Sequence, residues 1–487
     1  LARRHETRIA QVPFGGDMAG SGSARTRRPG AGRLIGFALA GVLALGAGFA
    51  AGGGGFAVAA PAFAGEAHEL GPKTLGAVRE TPVEAPAAEP VRTCSIEDVA
   101  SAGAALDFHG VVVDTQSGET VYERKATDAV PTASVMKLLT TTAAIEVLGP
   151  DFRIPTRVYA GSEPGSVVIV GGGDVTLAST DTGAASYYSG ATATLADLAA
   201  QTRTAWANDP SLSGTALTQV LVDESAFSGA EWQPSWSQAD RTDGYISPIS
   251  ALMVDGGRQD PASLVSPRTE DPSGAAAAAF ATRLGASTTG ANGSAPDGAK
   301  LLGEVWSQPV SELVHYALID SDNNVAEMLA RLVAIEQGVG TDFGAIQDST
   351  SKALTTLGLD TSGLVLADGS GLSADNRVPP ELVAELLQTI SQPDVAASQL
   401  LDDLPASGQT GTLQSRLTPL GVPQGAITAK TGWINEVYGL AGYLTAADGS
   451  RLTFAFFVVG AVTPANRDAL DTIAARTYSC GASLANW

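Results

Sequence analysis

Ser134-Val135-Met136-Lys137 runs directly into Leu138-Leu139-Thr140-Thr141-Thr142-Ala143-Ala144-Ile145-Glu146-Val147-Leu148, a stretch with one charged residue after the lysine. Its composition predicts a buried helix. The preceding residues 128–133 contain Pro131 and read as irregular. Ser134 therefore falls on the first turn, where free backbone N–H groups and the helix dipole favour developing negative charge. Residues three apart share a helix face, so Lys137 can reach the Ser134 hydroxyl. A core that strips Lys137 of water lowers its pKa and makes it a base. The bland alternative is a serine cap beside an exposed lysine, since short motifs recur by chance. The rest of the chain has to discriminate.

The chain has 487 residues, 44% of them hydrophobic, with a formal charge of −22. That is enough for two or three domains with a large core. The first 64 residues are basic, so the acidity lies in the remainder. Such a charge argues against nucleic acid or an anionic membrane surface as a partner. Residues 1–64 read as a targeting segment. Arg25, Arg27, Arg28 and Arg33 precede a long uncharged run that ends Ala62-Phe63-Ala64, a small-x-small cleavage pattern. An uncleaved anchor is the alternative. Either one places the rest of the chain outside the cytoplasmic membrane. Residues 65–91 form an Ala/Pro/Glu-rich linker without apolar periodicity. The two cysteines, Cys94 and Cys480, lie near the two ends of the remaining stretch. In an exported protein they suggest a disulfide joining the ends of the fold, with two buried thiols as the alternative.

Strands are expected at 108–113, 120–122, 153–160, 166–170, 217–222, 426–430, 438–445 and 452–459. Helices are expected at 194–205, 275–284, 310–318, 324–335, 380–390 and 464–478, and residues 245–254 form one further apolar segment. Three short motifs fall in order on this framework: Ser134-x-x-Lys137 at a helix start, Ser321-Asp322-Asn323 between two helices, and Lys430-Thr431-Gly432 on a strand heading a β run. The chain holds six lysines. From that composition a Lys-Thr-Gly is expected only about 0.05 times. A decoy, Ser349-Thr350-Ser351-Lys352, comes after the second motif and lacks suitable neighbours.

The three motifs resemble those of the serine penicillin-recognising enzymes. More narrowly, the chain is similar to the class C low-molecular-mass penicillin-binding proteins, the D-alanyl-D-alanine carboxypeptidase/endopeptidase family. Three accessory stretches carry the likeness further: Gly171-Gly172-Gly173-Asp174-Val175-Thr176-Leu177, Asp368-Gly369-Ser370-Gly371-Leu372-Ser373 and Gly408-Gln409-Thr410-Gly411-Thr412-Leu413. The resemblance spans about 94–480. It implies an α+β fold: an antiparallel sheet flanked by helices, a helical subdomain and an inserted α/β domain. The division it suggests is 92–158 with 300–487 as the penicillin-binding catalytic domain and 159–299 as the insertion. It implies that Ser134 attacks the D-Ala–D-Ala carbonyl, Lys137 takes its proton, Ser321 relays a proton to the leaving amine and Asn323 orients Lys137. Lys430 and Thr431 would bind the substrate carboxylate, Gly432 would let the strand approach the substrate, and Trp433 would lend its N–H to the oxyanion. No cofactor or metal is implied. The implied partners are peptidoglycan stem peptides and, as covalent inhibitors, β-lactams, with membrane contact only through an N-terminal anchor.

Other chemistries have little to work with. Of four histidines, His5 and His68 lie in the leader and linker, His109 opens a strand, and His315 is expected on an apolar helix face. A Ser-His-Asp hydrolase or transition-metal site is therefore disfavoured. A β-lactamase of class A type would add a glutamate that activates water. Pro379-Pro380-Glu381 superficially resembles that loop but reads better as a helix start. A silent cell-wall scaffold is the remaining alternative, yet Ser134, Lys137 and Lys430 are all present. Trp232 and Trp236 suit core packing better than a glycan surface.

Overall fold

In the computed structural model, which describes residues 91–181, 184–188 and 193–486 (for 288–291 the backbone alone), the two ends of the described chain build one sheet. The leader 1–64 and the linker, apart from Val91, lie outside the described residues. The elements in order are α1 (Glu97–Ala100), β1 (Asp107–Asp114), β2 (Thr120–Arg124), α2 (Lys137–Leu148), β3 (Pro155–Ala160), β4 (Ser166–Gly171), α3 (Leu195–Asn208), β5 (Gln219–Asp223), α4 (Gln238–Thr242), α5 (Pro272–Leu284), β6 (Ser287–Asn292) and β7 (Leu301–Trp306). Then come α6 (Val310–Ile319), α7 (Asn323–Glu336), α8 (Ala345–Thr356), α9 (Pro380–Ile390), β8 (Ile427–Ile434), β9 (Val437–Thr445), β10 (Arg451–Val459) and α10 (Pro464–Cys480).

The first sheet has the order β2-β1-β10-β9-β8, antiparallel throughout. Successive side chains of a strand face opposite ways, and here both faces are covered. Phe108, Val112, Phe454, Phe456 and Val458 meet Leu470, Ile473 and Ala474 of α10. Val111, Val113, Ala455 and Phe457 face the large helical core. At the centre of that core lies α2, buried on all sides from Lys137 to Ile145. A helix apolar all round belongs in an interior. Leu138 and Leu139 are wholly buried, each contributing roughly 1.5–3 kcal/mol. α6, α7, α8 and α9 pack around it.

The second sheet has the order β6-β5-β4-β3-β7. β4, β5 and β6 are parallel, so each connection is a crossover, and α3 and α5 occupy those crossovers. Val158, Ile169, Val220, Leu198 and Phe280 form its core. A division at 158/159 and 299/300 would cut β3 and stop just short of β7. Those strands pair with each other, so hydrogen bonding carries the sheet from Pro155 to Trp306. β6, β7 and α8 were not expected from the sequence. β6 is Ser-Thr-Thr-Gly-Ala-Asn, poor in strand formers, and holds by its ladder to β5. α8 buries Ser349 and Thr350 along with Ile346 and Leu354, so its inner face mixes polar and apolar residues. The apolar residues 245–254 contain Pro248 and form neither helix nor strand. They bring Ile246, Ile249 and Met253 into the helical core. Among the described residues no helix is long and apolar enough to cross a membrane.

Cys94 and Cys480 form a disulfide with Cα atoms 5.4 Å apart, tying the strand-like start of the fold to the end of α10. It closes 386 positions of chain. Removing it in a Cys94→Ser/Cys480→Ser variant is expected to cost about 2–5 kcal/mol. Denaturant unfolding with and without reductant measures this. Coincident curves for the variant and the oxidised wild type would show that the bridge contributes nothing.

Candidate active site

Ser134 lies on a 3-10 turn, Ala133–Met136, that feeds α2. The turn is strained: Ala133 has φ +45°. Two glycines hold it from opposite sides. A Cβ on Gly371 would stand 1.9 Å from the Ala133 carbonyl oxygen. A Cβ on Gly432 would stand 2.7 Å from the Thr132 carbonyl oxygen and 3.2 Å from the Ser134 nitrogen. Gly432 thus serves close packing of β8 on the serine turn. Clearance for the substrate, expected from the sequence, is not needed to account for it.

One turn on, Lys137 is wholly buried. Its Nζ donates to Ser134 Oγ (2.9 Å), Asn323 Oδ1 (2.6 Å) and the Ser370 carbonyl (2.8 Å). Burial pushes its pKa down to about 8, against the pull of the Asp368, Glu327 and Asp322 carboxylates. Lys430, on β8, is equally buried. Its Nζ donates to Ser321 Oγ (2.9 Å) and to the Thr431 carbonyl (2.9 Å). Burial first, then the neighbouring Lys137 charge, hold it well below the usual lysine range, with Asp320 opposing. Thr431 donates its hydroxyl to Thr412 (2.8 Å), which belongs to the third accessory stretch. Ser134, Lys137, Ser321, Asn323, Lys430 and Gly432 therefore meet at one place. Trp433 stands at its edge, 49% exposed, stacked on Tyr438 and edge-on to Tyr245.

Ser321 also sits at a strained φ of +61°. What holds it is the residue after it. Asp322 Oδ1 caps α7 by accepting from the Val325 N–H (3.1 Å). Its Oδ2 accepts from Arg258 (2.8 Å) and the Tyr188 hydroxyl (3.0 Å). Burial would raise its pKa, but Arg258 and Arg268 outweigh that and keep it ionised. The Arg258 guanidinium lies over the Tyr187 ring, 3.9 Å from its centroid. Tyr187 donates to Asp320 (2.9 Å). The Asn323 amide donates to the Tyr245 carbonyl (3.1 Å), and Trp236 Nε1 to Asp368 (2.8 Å). Apart from the Val325 N–H and the Arg268 charge, the partners in these contacts, missed in the sequence, come from residues 187–258.

The remaining candidates lie elsewhere. Ser349 is buried on α8 and bonds the Ile346 carbonyl. His315 is not on an apolar face. It is half-exposed and pairs with Asp403 (2.7 Å). His109 is buried against Asp107 (3.1 Å). Glu381 starts α9 and lines a surface cleft with Gln116, Thr120 and Gln388, away from both lysines. Among the described residues no group of three or more His, Cys, Asp or Glu could hold a metal ion. Trp232 and Trp236 pack edge to face at 5.2 Å, with Trp236 buried in the helical core.

The model of the D-Ala-D-Ala carboxypeptidase 3 (S13) family matches residues 93–266 and 259–478. The chain belongs to this family. It is a serine-type D-Ala-D-Ala carboxypeptidase. A carboxypeptidase of Mycobacterium tuberculosis is 37% identical over 76% of this chain and 80% of its own length. A D-alanyl-D-alanine carboxypeptidase of an Actinomadura species is 31% identical over 78% and 82%. Among solved structures, penicillin-binding protein 4 from Haemophilus influenzae shares the fold with a TM-score of 0.65 at 19% identity, covering 79% of this chain and 98% of that one. The same protein has been crystallised with a β-lactam. For the S13 carboxypeptidase described here, the two-glycine clamp yields a direct test. Gly432→Ala is expected to destabilise the fold by about 1–3 kcal/mol and to slow labelling by a fluorescent penicillin. Denaturant unfolding and a labelling time course measure both, and wild-type values in each would mean that the serine turn has slack.

Proposed function

We propose that Ser134 is the nucleophile and Lys137 its base, and that the substrate is a peptidoglycan stem peptide ending in D-Ala–D-Ala. The observation that carries this is the 2.9 Å bond between Ser134 Oγ and a wholly buried lysine whose pKa falls to about 8. Neutral Lys137 takes the Ser134 proton as Oγ bonds to the carbonyl carbon. The N–H groups of Ser134 and Trp433 hold the oxyanion. The C–N bond then breaks, and Ser321, bonded to Lys430, passes a proton to the leaving D-alanine amine. Asn323 keeps the Lys137 amine in place from its side. Lys430 and the Thr431 hydroxyl bind the terminal carboxylate. Water resolves the acyl-enzyme and frees Ser134. A β-lactam acylates the same serine, and its acyl group persists, since among the described residues no glutamate bonds Ser134 or Lys137 to activate water between them. The disulfide supports work in an oxidising compartment outside the cytoplasmic membrane. Cleavage of a cross-link between D-centres is the same chemistry on a bulkier leaving group.

A pentapeptide ending in D-Ala–D-Ala is expected to release D-alanine. A cross-linked dimer assayed alongside separates carboxypeptidase from endopeptidase activity. Ser134→Ala is expected to abolish both D-alanine release and penicillin labelling, and persistent labelling would point to another nucleophile. Because Lys137 must lose its proton, acylation is expected to rise about tenfold per pH unit below about pH 8. A pH-independent rate between 6 and 8 would argue against Lys137 as the base.

A further inference from the structure

Glu327 is wholly buried on α7, one turn after Asn323, so both side chains leave the helix on one face. Asn323 accepts directly from Lys137. Glu327 addresses the same amine through a peptide. Its Oε1 accepts from the Ser370 N–H (2.7 Å), and both its oxygens accept from the Gly369 N–H (3.1 Å each). The carbonyl of that same Ser370 accepts from Lys137 Nζ at 2.8 Å. Thr140, on α2, donates to the Gly369 carbonyl. The next carboxylate in the loop, Asp368, is taken up by the Gly371 and Ser373 N–H groups, the Asn376 amide and Trp236.

A buried carboxylate held by peptide N–H groups and one hydroxyl, that of Ser370, without an ion pair is expensive. Among the described residues Glu327 makes no ion pair, although Arg331 lies one turn further along α7; that arginine donates to the Ala230 and Thr341 carbonyls. The groups that face Glu327 are Lys137 from α2, Asp368 from the loop and Arg331 from its own helix. Asp322 and Lys430 complete the charges around Lys137. Burial, then Asp368, raise the Glu327 carboxyl to about 7.

We infer that Glu327 is a positioning residue for the base: by gripping the Gly369 and Ser370 N–H groups it aims the Ser370 carbonyl at Lys137 and holds the amine on the Ser134 side. This rests on Lys137 being the base. Removing the charge has a signed consequence. A carboxylate favours the ammonium form of Lys137, so a neutral residue 327 lowers the lysine pKa and moves the acid limb of the acylation profile to lower pH.

The test compares full-length wild type, Ser134→Ala, Glu327→Gln and Glu327→Asp. It follows penicillin acylation against pH, kcat and KM for a D-Ala–D-Ala peptide, and thermal unfolding. Glu327→Gln is expected to acylate at least about tenfold more slowly, with its acid limb lower by roughly 0.5 pH unit and KM little changed. Glu327→Asp, which keeps the charge but shortens the reach, is expected to lose rate without moving the limb. A folded Glu327→Gln with the wild-type rate and profile overturns the inference. So do equal losses in both variants with no shift, which would mark a merely structural residue. If Glu327→Gln does not fold, Glu327→Asp decides: a lower kcat at constant KM supports the role, while a wild-type kcat or failure to fold overturns it. Wild-type labelling that is absent in Ser134→Ala keeps the nucleophile assignment intact whichever way Glu327 falls. Labelling that survives in Ser134→Ala brings down the assignment itself.

Discussion

Two buried lysine amines share one cleft, and among the described residues neither has a carboxylate against it. Lys137 and Lys430 are both wholly buried, and among the described residues neither makes an ion pair within 4.0 Å. A carboxylate bonded to either amine would hold it protonated. Four carboxylates nonetheless surround the pair, and each is engaged elsewhere. Asp320 takes the Tyr187 hydroxyl. Asp322 takes Arg258 and Tyr188. Asp368 takes Trp236 and Asn376. Glu327 takes the Gly369 and Ser370 N–H groups. The acids stay close enough to offset part of the burial penalty on the lysines and too committed to seize a proton from them.

Four of the side-chain donors that occupy those acids, Tyr187, Tyr188, Trp236 and Arg258, come from outside the three motifs, between β4 and α5. The insertion is thereby part of the electrostatics of the cleft, though it contributes none of the three motifs. It also steadies the geometry. Ala133, which precedes Ser134, and Ser321 itself both adopt positive φ. Such strain persists only where the surroundings over-determine it. Gly371 and Gly432 clamp the first turn, and the Arg258–Asp322 pair with the Asp322 cap anchors the second.

Much of this was legible in advance, for identifiable reasons. The strands β1, β9 and β10 carry runs of apolar residues, and the helices α7 and α9 carry strong helical periodicity; both are local properties. Lys137 and Lys430 stood out because lysine is scarce in this chain. β6 and α8 were hidden because their residues, Ser-Thr-Thr-Gly and Ser349-Thr350 among them, carry little propensity and are held by neighbours. His315 was misplaced because its helix is largely apolar, and only the fold brings Asp403 to it. The constraint on Gly432 is the backbone of Thr132 and Ser134, far away along the chain, and so is not written in its own neighbourhood.

The sequence by itself determined which residues could act: a serine and a lysine one turn apart, a serine and an asparagine at a helix start, and a lysine on a strand. These are short-range patterns, set by helix and strand periods. Only the tertiary structure decided their surroundings and protonation. The proton affinity of Lys137 is a sum over burial and over charges at 322, 327 and 368, and those meet through space alone. The roles of Arg258, Trp236 and Glu327 are equally invisible along the chain, because each acts by occupying an acid or aiming a peptide that folding brings beside the amine.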